Sequence, residues 1–225
     1  MSAPVLELRG VVKEFASGSE VLRVLDGVDL SIKAGETLAV AGPSGSGKST
    51  LLGIMAGLER PTSGSVLRDG RDAARWSEDE AALWRRRRLG FVFQTFRLVP
   101  TLSALENASL PLELLGARPA DAEEQAAALL GTLGLGGRLS HRPAQLSGGE
   151  QQRVAIARAY VHKPALILAD EPTGSLDRAT AERVLAALLE LNARAGTALA
   201  VVTHDPAVAE ALGRTARLER GRVAA

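Results

Sequence analysis

Residues 42–50, Gly-Pro-Ser-Gly-Ser-Gly-Lys-Ser-Thr, constrain the fold of this chain more than any other stretch. They match G-x-x-x-x-G-K-[ST], with Gly42, Gly47, Lys48 and Ser49 at the defined positions. The apolar run 37–41 before them reads as a buried strand, and the run 51–56 after them reads as a helix. A strand, a glycine-rich loop and a helix in that order form a cradle. The glycines let successive backbone N–H groups turn into one concavity, and the helix N-terminus adds its positive end. Phosphate oxygens suit such a cradle. The spacing therefore predicts a nucleotide held by Gly42, Ser44, Gly45, Gly47, Lys48, Ser49 and Thr50. Lys48 would reach the β- and γ-phosphates and the Ser49 hydroxyl would ligate Mg²⁺.

The rest of the composition narrows the setting. The 225 residues carry a formal net charge of +1, so no global field recruits nucleic acid, and no nucleic-acid partner is expected. There are no cysteines, which excludes disulfides and thiolate metal sites. The first residues lack a basic segment followed by an apolar one, so no signal peptide is expected. No run approaches 18 apolar residues, so no membrane span is expected and a cytoplasmic location follows.

Along the chain, 5–12 and 21–32 read as strands joined by a turn at 17–20. After the phosphate loop and its helix comes a short strand at 65–68. A charged helix over 77–88 is capped by Ser77 with Glu80. It ends in Arg85-Arg-Arg-Arg88, read as a solvated face because no aromatics interleave with the arginines. The strand 90–93 delivers Gln94. Residues 95–145 then lose strand signals and become helical, with capping-box spacing at Ser103/Glu106 and Asp121/Glu124. From Leu146 the alternation returns: helix 149–162, strand 165–169, helix 178–194, strand 197–202, a short helix 206–212 and a closing hairpin around Gly221. The expected fold class is α/β: a phosphate-loop NTPase core with a mainly parallel sheet, an N-terminal antiparallel β region and a helical insert. One domain is expected over 1–225, with 1–94 and 146–225 as the core and 95–145 as the insert.

Three further stretches carry chemistry. Residues 165–172 read as a buried strand ending in two adjacent carboxylates, Asp170 and Glu171. Alternation along a strand would send them to different spaces. Asp170 could then serve Mg²⁺ while Glu171 orients a water, the division that phosphoryl transfer needs. Gln94 can donate and accept at once, so it suits both the metal and the attacking water. In Leu146-Ser-Gly-Gly-Glu-Gln-Gln-Arg153, Ser147, Gly148 and Gly149 precede a helix and form a second anion site. One copy has no evident need of two such sites. Two copies head to tail would sandwich each nucleotide between the phosphate loop of one and the Ser-Gly-Gly turn of the other, so a homodimer is expected in the ATP-bound state.

These residues, in this order, resemble the ATP-binding-cassette (ABC) ATPases over 5–223. The resemblance implies ATP and Mg²⁺ as cofactors, a catalytic role for Glu171, Gln94 and His204, and Mg²⁺ on Ser49, Gln94 and Asp170. His204 would contact the γ-phosphate. Ser147, Gly148, Gly149 and Glu150 would act on the other copy's nucleotide, and Asp177 would reach across the dimer. Phe15, the aromatic between the first two strands, reads either as a core residue or, as the resemblance implies, as a ring that stacks on adenine. His141 and His162 read as structural or solvated. Residues 91–94, 98–107 and 170–177 resemble the lipoprotein-releasing and macrolide-exporter group, with Ser175 where many members carry Asn.

The group implies a separate integral membrane permease, contacted by the insert, and a peripheral place on the inner face of a bacterial cytoplasmic membrane. Phe96, Leu98 and Val99 are candidates for that contact or for the insert's own core. Three functions remain open: an export or extraction subunit, a force-transmitting ATPase on a membrane protein, and a soluble cassette acting on nucleic acid or ribosomes. The first two share every ATPase residue.

Overall fold

A computed structural model describes residues 4–18 and 20–224. In chain order the strands and helices are β1 (Leu6–Ser17), β2 (Glu20–Ile32), β3 (Thr37–Ala41), α1 (Lys48–Ala56), β4 (Ser63–Arg68), β5 (Arg71–Asp72), α2 (Glu78–Arg88), β6 (Leu89–Phe93), α3 (Ala104–Leu114), α4 (Pro119–Thr132), α5 (Gly148–Tyr160), β7 (Leu166–Asp170), α6 (Arg178–Ala195), β8 (Ala198–Thr203), α7 (Pro206–Glu210), β9 (Arg214–Glu219) and β10 (Arg222–Ala224). They fall into two compact units, residues 1–85 with 198–225, and residues 86–197.

The first unit holds two sheets. One is antiparallel in the order β2-β1-β4-β5. Leu6 pairs with Ile32 and Leu8 with Leu30, and alternate residues Val28, Leu30 and Ile32 are buried, the period-two pattern of a sheet with one wet face; Leu25, beyond a register shift, is buried as well. In the other sheet β3 lies parallel to both β8 and β9, and β10 pairs antiparallel with β9. All of Ala198–Thr203 is buried, as expected of a parallel strand covered on both faces. Gly221 brings the closing hairpin against β2: its carbonyl accepts from Asp26 N–H at 2.9 Å, and a Cβ there would stand 2.5 Å from Val24 O.

The second unit packs α3, α4, α5 and α6 with the parallel pair β6 and β7, where Gly90 faces Ile167. Gly90 lets α5 lie directly on β6, because a Cβ there would meet Ala159 O at 2.2 Å. Ser103 and Glu106 form the expected capping box of α3.

Three expectations need correction. Helix α4 begins at Pro119, which sits at the first helical position that proline favours, and Asp121 is held by the Arg118 guanidinium at 2.8 Å instead of capping with Glu124. Strand β1 runs on to Ser17, because Lys13 through Ser17 continue the ladder with β2 after register shifts. Arg85 is not a solvated residue: it is half-buried, and its guanidinium donates to Gly57 O and to Glu78 at 2.9 Å.

Candidate active site

In the first unit the phosphate loop is built by close backbone approach. A Cβ on Gly42 would stand 2.2 Å from Leu218 O, and one on Gly47 would stand 2.9 Å from Val24 O. Gly47, at φ 100, is the N-cap of α1, so no side chain covers the first N–H groups of that helix. Gly45 is also left-handed, at φ 78. Lys48 Nζ donates to Gly42 O and Pro43 O, both at 2.8 Å, and so bridges the loop. The Ser46 hydroxyl is buried without a hydrogen-bond partner. Open helix N–H groups, an ammonium on the rim and an orphan hydroxyl fit a polyphosphate. The far end of α1 is anchored by two cations, which suits its negative pole: Arg85 on Gly57 O, and Arg68 on Ile54 O at 2.7 Å. Arg68 is 5% exposed, and burial followed by the charge of Arg85 pulls it down to about 10.

His204 follows β8, and Gly42, Pro43, His204, Asp205 and Arg217 wall one cavity of about 590 Å³. Phe15 lies on β1 opposite Leu22, with 39% of its surface exposed and Lys13 Nζ 4.8 Å from its ring centroid. An exposed ring on a rigid strand fits stacking on a base.

The second unit brings together Gln94, Asp170, Glu171 and the Ser147 turn. β7 ends at Asp170, and Glu171 takes φ 44. Strand alternation therefore stops one residue short of Glu171, and the turn sets its direction. Gly174 N–H donates to Glu171 O at 3.0 Å, and Ser175 Oγ donates to Gln94 O at 2.9 Å. A Cβ on Gly174 would stand 3.0 Å from Gln94 Nε2 and 3.4 Å from Glu171 Cβ, so the Gln94 amide and Glu171 flank the same glycine. Asp177 caps α6 by accepting from Thr180 N–H at 3.1 Å, and hydrogen bonding from the Thr180 side chain, then from its backbone, lowers the Asp177 pKa.

Ser147 caps α5 in a box with Glu150. Bonds from Ser147, with help from Arg138, hold the Glu150 carboxyl down at about 2. The two glycines differ in role. Gly148 is half-buried, and a Cβ on it would stand 3.2 Å from Leu176 and 3.7 Å from Phe96. Gly149 is buried, and its Cβ would stand 2.4 Å from Thr180 Cγ2. Gly149 thus sets how closely α5 meets α6.

Three further polar residues support the site. Gln152 is fully buried, Arg158 donates to Phe96 O and Arg97 O, and Asn107 binds both the N–H and the carbonyl of Val99. All three hold the segment around and after Gln94. The available signal was a polar residue on an otherwise apolar helix face, as at Gln152 beside Ala155 and Ile156. His162 is half-buried, its ring 3.2 Å from Leu89 O, and burial lowers its pKa, in line with a structural role.

A phosphate loop on a strand–helix junction, with Asp170 ending a parallel strand and Glu171 in the turn after it, defines the class of phosphate-loop ATPases. The comparisons narrow the class. The sequence profile of the ABC transporter family matches residues 25–174. The chain is 48% identical over 221 residues to the lipoprotein-releasing system ATP-binding protein LolD of Idiomarina loihiensis, covering 98% of this chain and 97% of that one. It is 50% identical to the macrolide export ATP-binding/permease protein MacB of Bordetella avium, covering 99% of this chain but 34% of that one. It is 48% identical to the ABC transporter ATP-binding protein YbbA of Escherichia coli over 97% of this chain. The dimeric post-hydrolysis structure of the cassette MJ0796 with ADP and Pi superposes with a TM-score of 0.89 at 42% identity, covering 98% of this chain and 97% of that one. The chain belongs to the ABC transporter family and is an ABC-type ATPase. These relatives include lipoprotein-releasing and macrolide-export proteins, the group that residues 91–94, 98–107 and 170–177 resemble.

Proposed function

We propose that this chain powers a membrane transporter. Two copies close head to tail on two nucleotides, and the closure drives a separate integral permease that exports or extracts an amphipathic molecule of the lipoprotein, lipid or drug class. The observation that carries this reading is the pair of helix N-termini in one chain, at Gly47 in one unit and at Ser147 in the other, each suited to phosphate. The names of the relatives support the transport setting. Among the described residues no helix is long and apolar enough to cross a membrane. The chain would sit peripherally on the inner face of the cytoplasmic membrane, with 95–145 as the insert that meets the permease. A groove of about 280 Å³ beside the Gln94 segment, walled by Phe91, Phe93, Leu110 and Leu114, is the face we assign to that contact. Leu114 is 59% exposed there.

In this reading Phe15 stacks on adenine, and Gly42 through Thr50 hold the phosphates. Ser147, Gly148, Gly149 and Glu150 of the second copy close over them, with Asp177 at the dimer interface. Mg²⁺ neutralises phosphate charge when bound, and Ser49, Gln94 and Asp170 would hold it. Glu171 and Gln94 orient a water, and Glu171 takes its proton. The water oxygen bonds to the γ-phosphorus as the bond to the bridging oxygen breaks, and ADP leaves. His204 steadies the γ-phosphate. Tighter binding of ATP than of ADP to the closed pair is what makes the cycle turn.

Glu171→Gln is expected to lower turnover by about 10²–10⁴-fold while sparing ATP binding, and Lys48→Ala to weaken binding itself. Tagged Glu171→Gln protein held with ATP should bring down an integral membrane protein in equal amount from detergent-solubilised native membranes. Recovery of soluble proteins or nucleic acid alone would reject the transporter reading.

A further inference from the structure

We infer that Gln152 is a positioning residue for hydrolysis: its amide fixes the spacing between the segment that carries Gln94 and the turn that carries Glu171. This rests on the roles proposed above for those two residues. Gln152 lies in the second turn of α5 and is fully buried among Gly149, Ala155 and Ile156. A carboxamide there loses its hydration, and since its Oε1 has no hydrogen-bond partner, what it recovers comes through Nε2. Its Nε2 donates to two backbone carbonyls, Phe93 O at 3.3 Å and Pro172 O. Phe93 immediately precedes Gln94, and Pro172 immediately follows Glu171.

An apolar residue of the same size would fill the space at less cost. What the amide adds is the tie between the end of β6 and the turn after β7. That turn needs a restraint, because Glu171 is held at φ 44, a conformation a non-glycine residue keeps only where its surroundings enforce it. Ser175 Oγ on Gln94 O closes the same link from the other side. Six residues further along α5, Arg158 donates to Phe96 O and Arg97 O, both left-handed residues. The helix that starts at the Ser147 turn therefore grips the Gln94 segment at two points. Displacing that helix would move Gln94 and Glu171 with it.

The test uses the full chain and three variants. Gln152→Met keeps length and volume but has no donor. It should lower kcat by about 10²-fold, the cost of a displacement near 1 Å, with the Kd for ATP unchanged. Gln152→Glu has a hydrogen to donate only when protonated, and burial raises its pKa, so its turnover relative to the parent should recover between about pH 8 and about pH 6. Glu171→Gln is the reference. If Gln152→Met changes kcat and Kd together, or leaves kcat intact, the assignment is overturned. If Gln152→Met does not fold, the pH profile of Gln152→Glu decides: recovery supports the tie and a flat ratio rejects it. If Glu171→Gln abolishes turnover and both Gln152 variants keep it, only Gln152 falls. If Glu171→Gln retains turnover, the parent reading falls and Gln152 with it.

Discussion

The Ser147 hydroxyl donates to the Glu150 carboxylate at 2.8 Å, and the same carboxylate accepts from Ser147 N–H at 2.8 Å. The N-terminus of α5, where a second copy's phosphate would come, thus already carries a carboxylate.

Replacing that charge should favour association. In a Glu171→Gln background, Glu150→Gln is expected to tighten ATP-dependent dimerisation by about 2–5-fold at low salt, the worth of one charge at a helix end, and the gain should shrink as salt rises. Sedimentation across a KCl series measures it. A gain independent of salt, or a loss, would show that Glu150 and the phosphate do not compete. The same pair sets a pH dependence. Because the folded pKa of Glu150 is lowered to about 2 from 4.5, its stabilisation is present above 4.5 and disappears as pH falls toward 2. Glu150→Gln should lack that segment of the acid unfolding curve.

Gly149→Ala should destabilise the second unit by about 1–3 kcal/mol through overpacking, since its Cβ would stand 2.4 Å from Thr180 Cγ2. Thr180→Ser removes that methyl and should restore most of the loss in the double variant. Urea unfolding of the two variants checks this, and failure of Thr180→Ser to compensate would place the strain elsewhere.

Burial of the Tyr160–Asn192 pair makes a third case. The Tyr160 hydroxyl donates to Asn192 Oδ1 at 2.9 Å between α5 and α6, and burial pushes its pKa up, so it stays a donor in alkaline solution. Tyr160→Phe leaves a buried acceptor unpaired and should cost about 1–3 kcal/mol. Tyr160→Phe with Asn192→Leu should cost less than the sum of the single changes. Simple additivity in thermal unfolding would show that the bond contributes nothing.

The alternation of strands and helices was legible because periodicity and glycine spacing are local. β3 and β8 read as buried strands from unbroken apolar runs, and Gly42 and Gly47 from the motif. What escaped was decided by partners distant in sequence. Arg85 belongs to a run that looks solvated, yet Gly57 O draws it inward. Asp121 had the spacing of a cap, but Arg118 and Pro119 moved the helix start. Gln152 stands in a polar run, and only the carbonyls of Phe93 and Pro172 explain its burial. Glu171 was assigned a direction from strand pleating that ends at Asp170.

The most direct test of the account is whether two copies close on ATP through the Ser147 turn. Sedimentation of Glu171→Gln protein should show a dimer with ATP and a monomer with ADP. Adding Ser147→Arg should keep ATP binding and abolish the dimer. A monomer with both nucleotides, or a dimer that survives Ser147→Arg, would contradict the head-to-tail arrangement on which the proposed function depends.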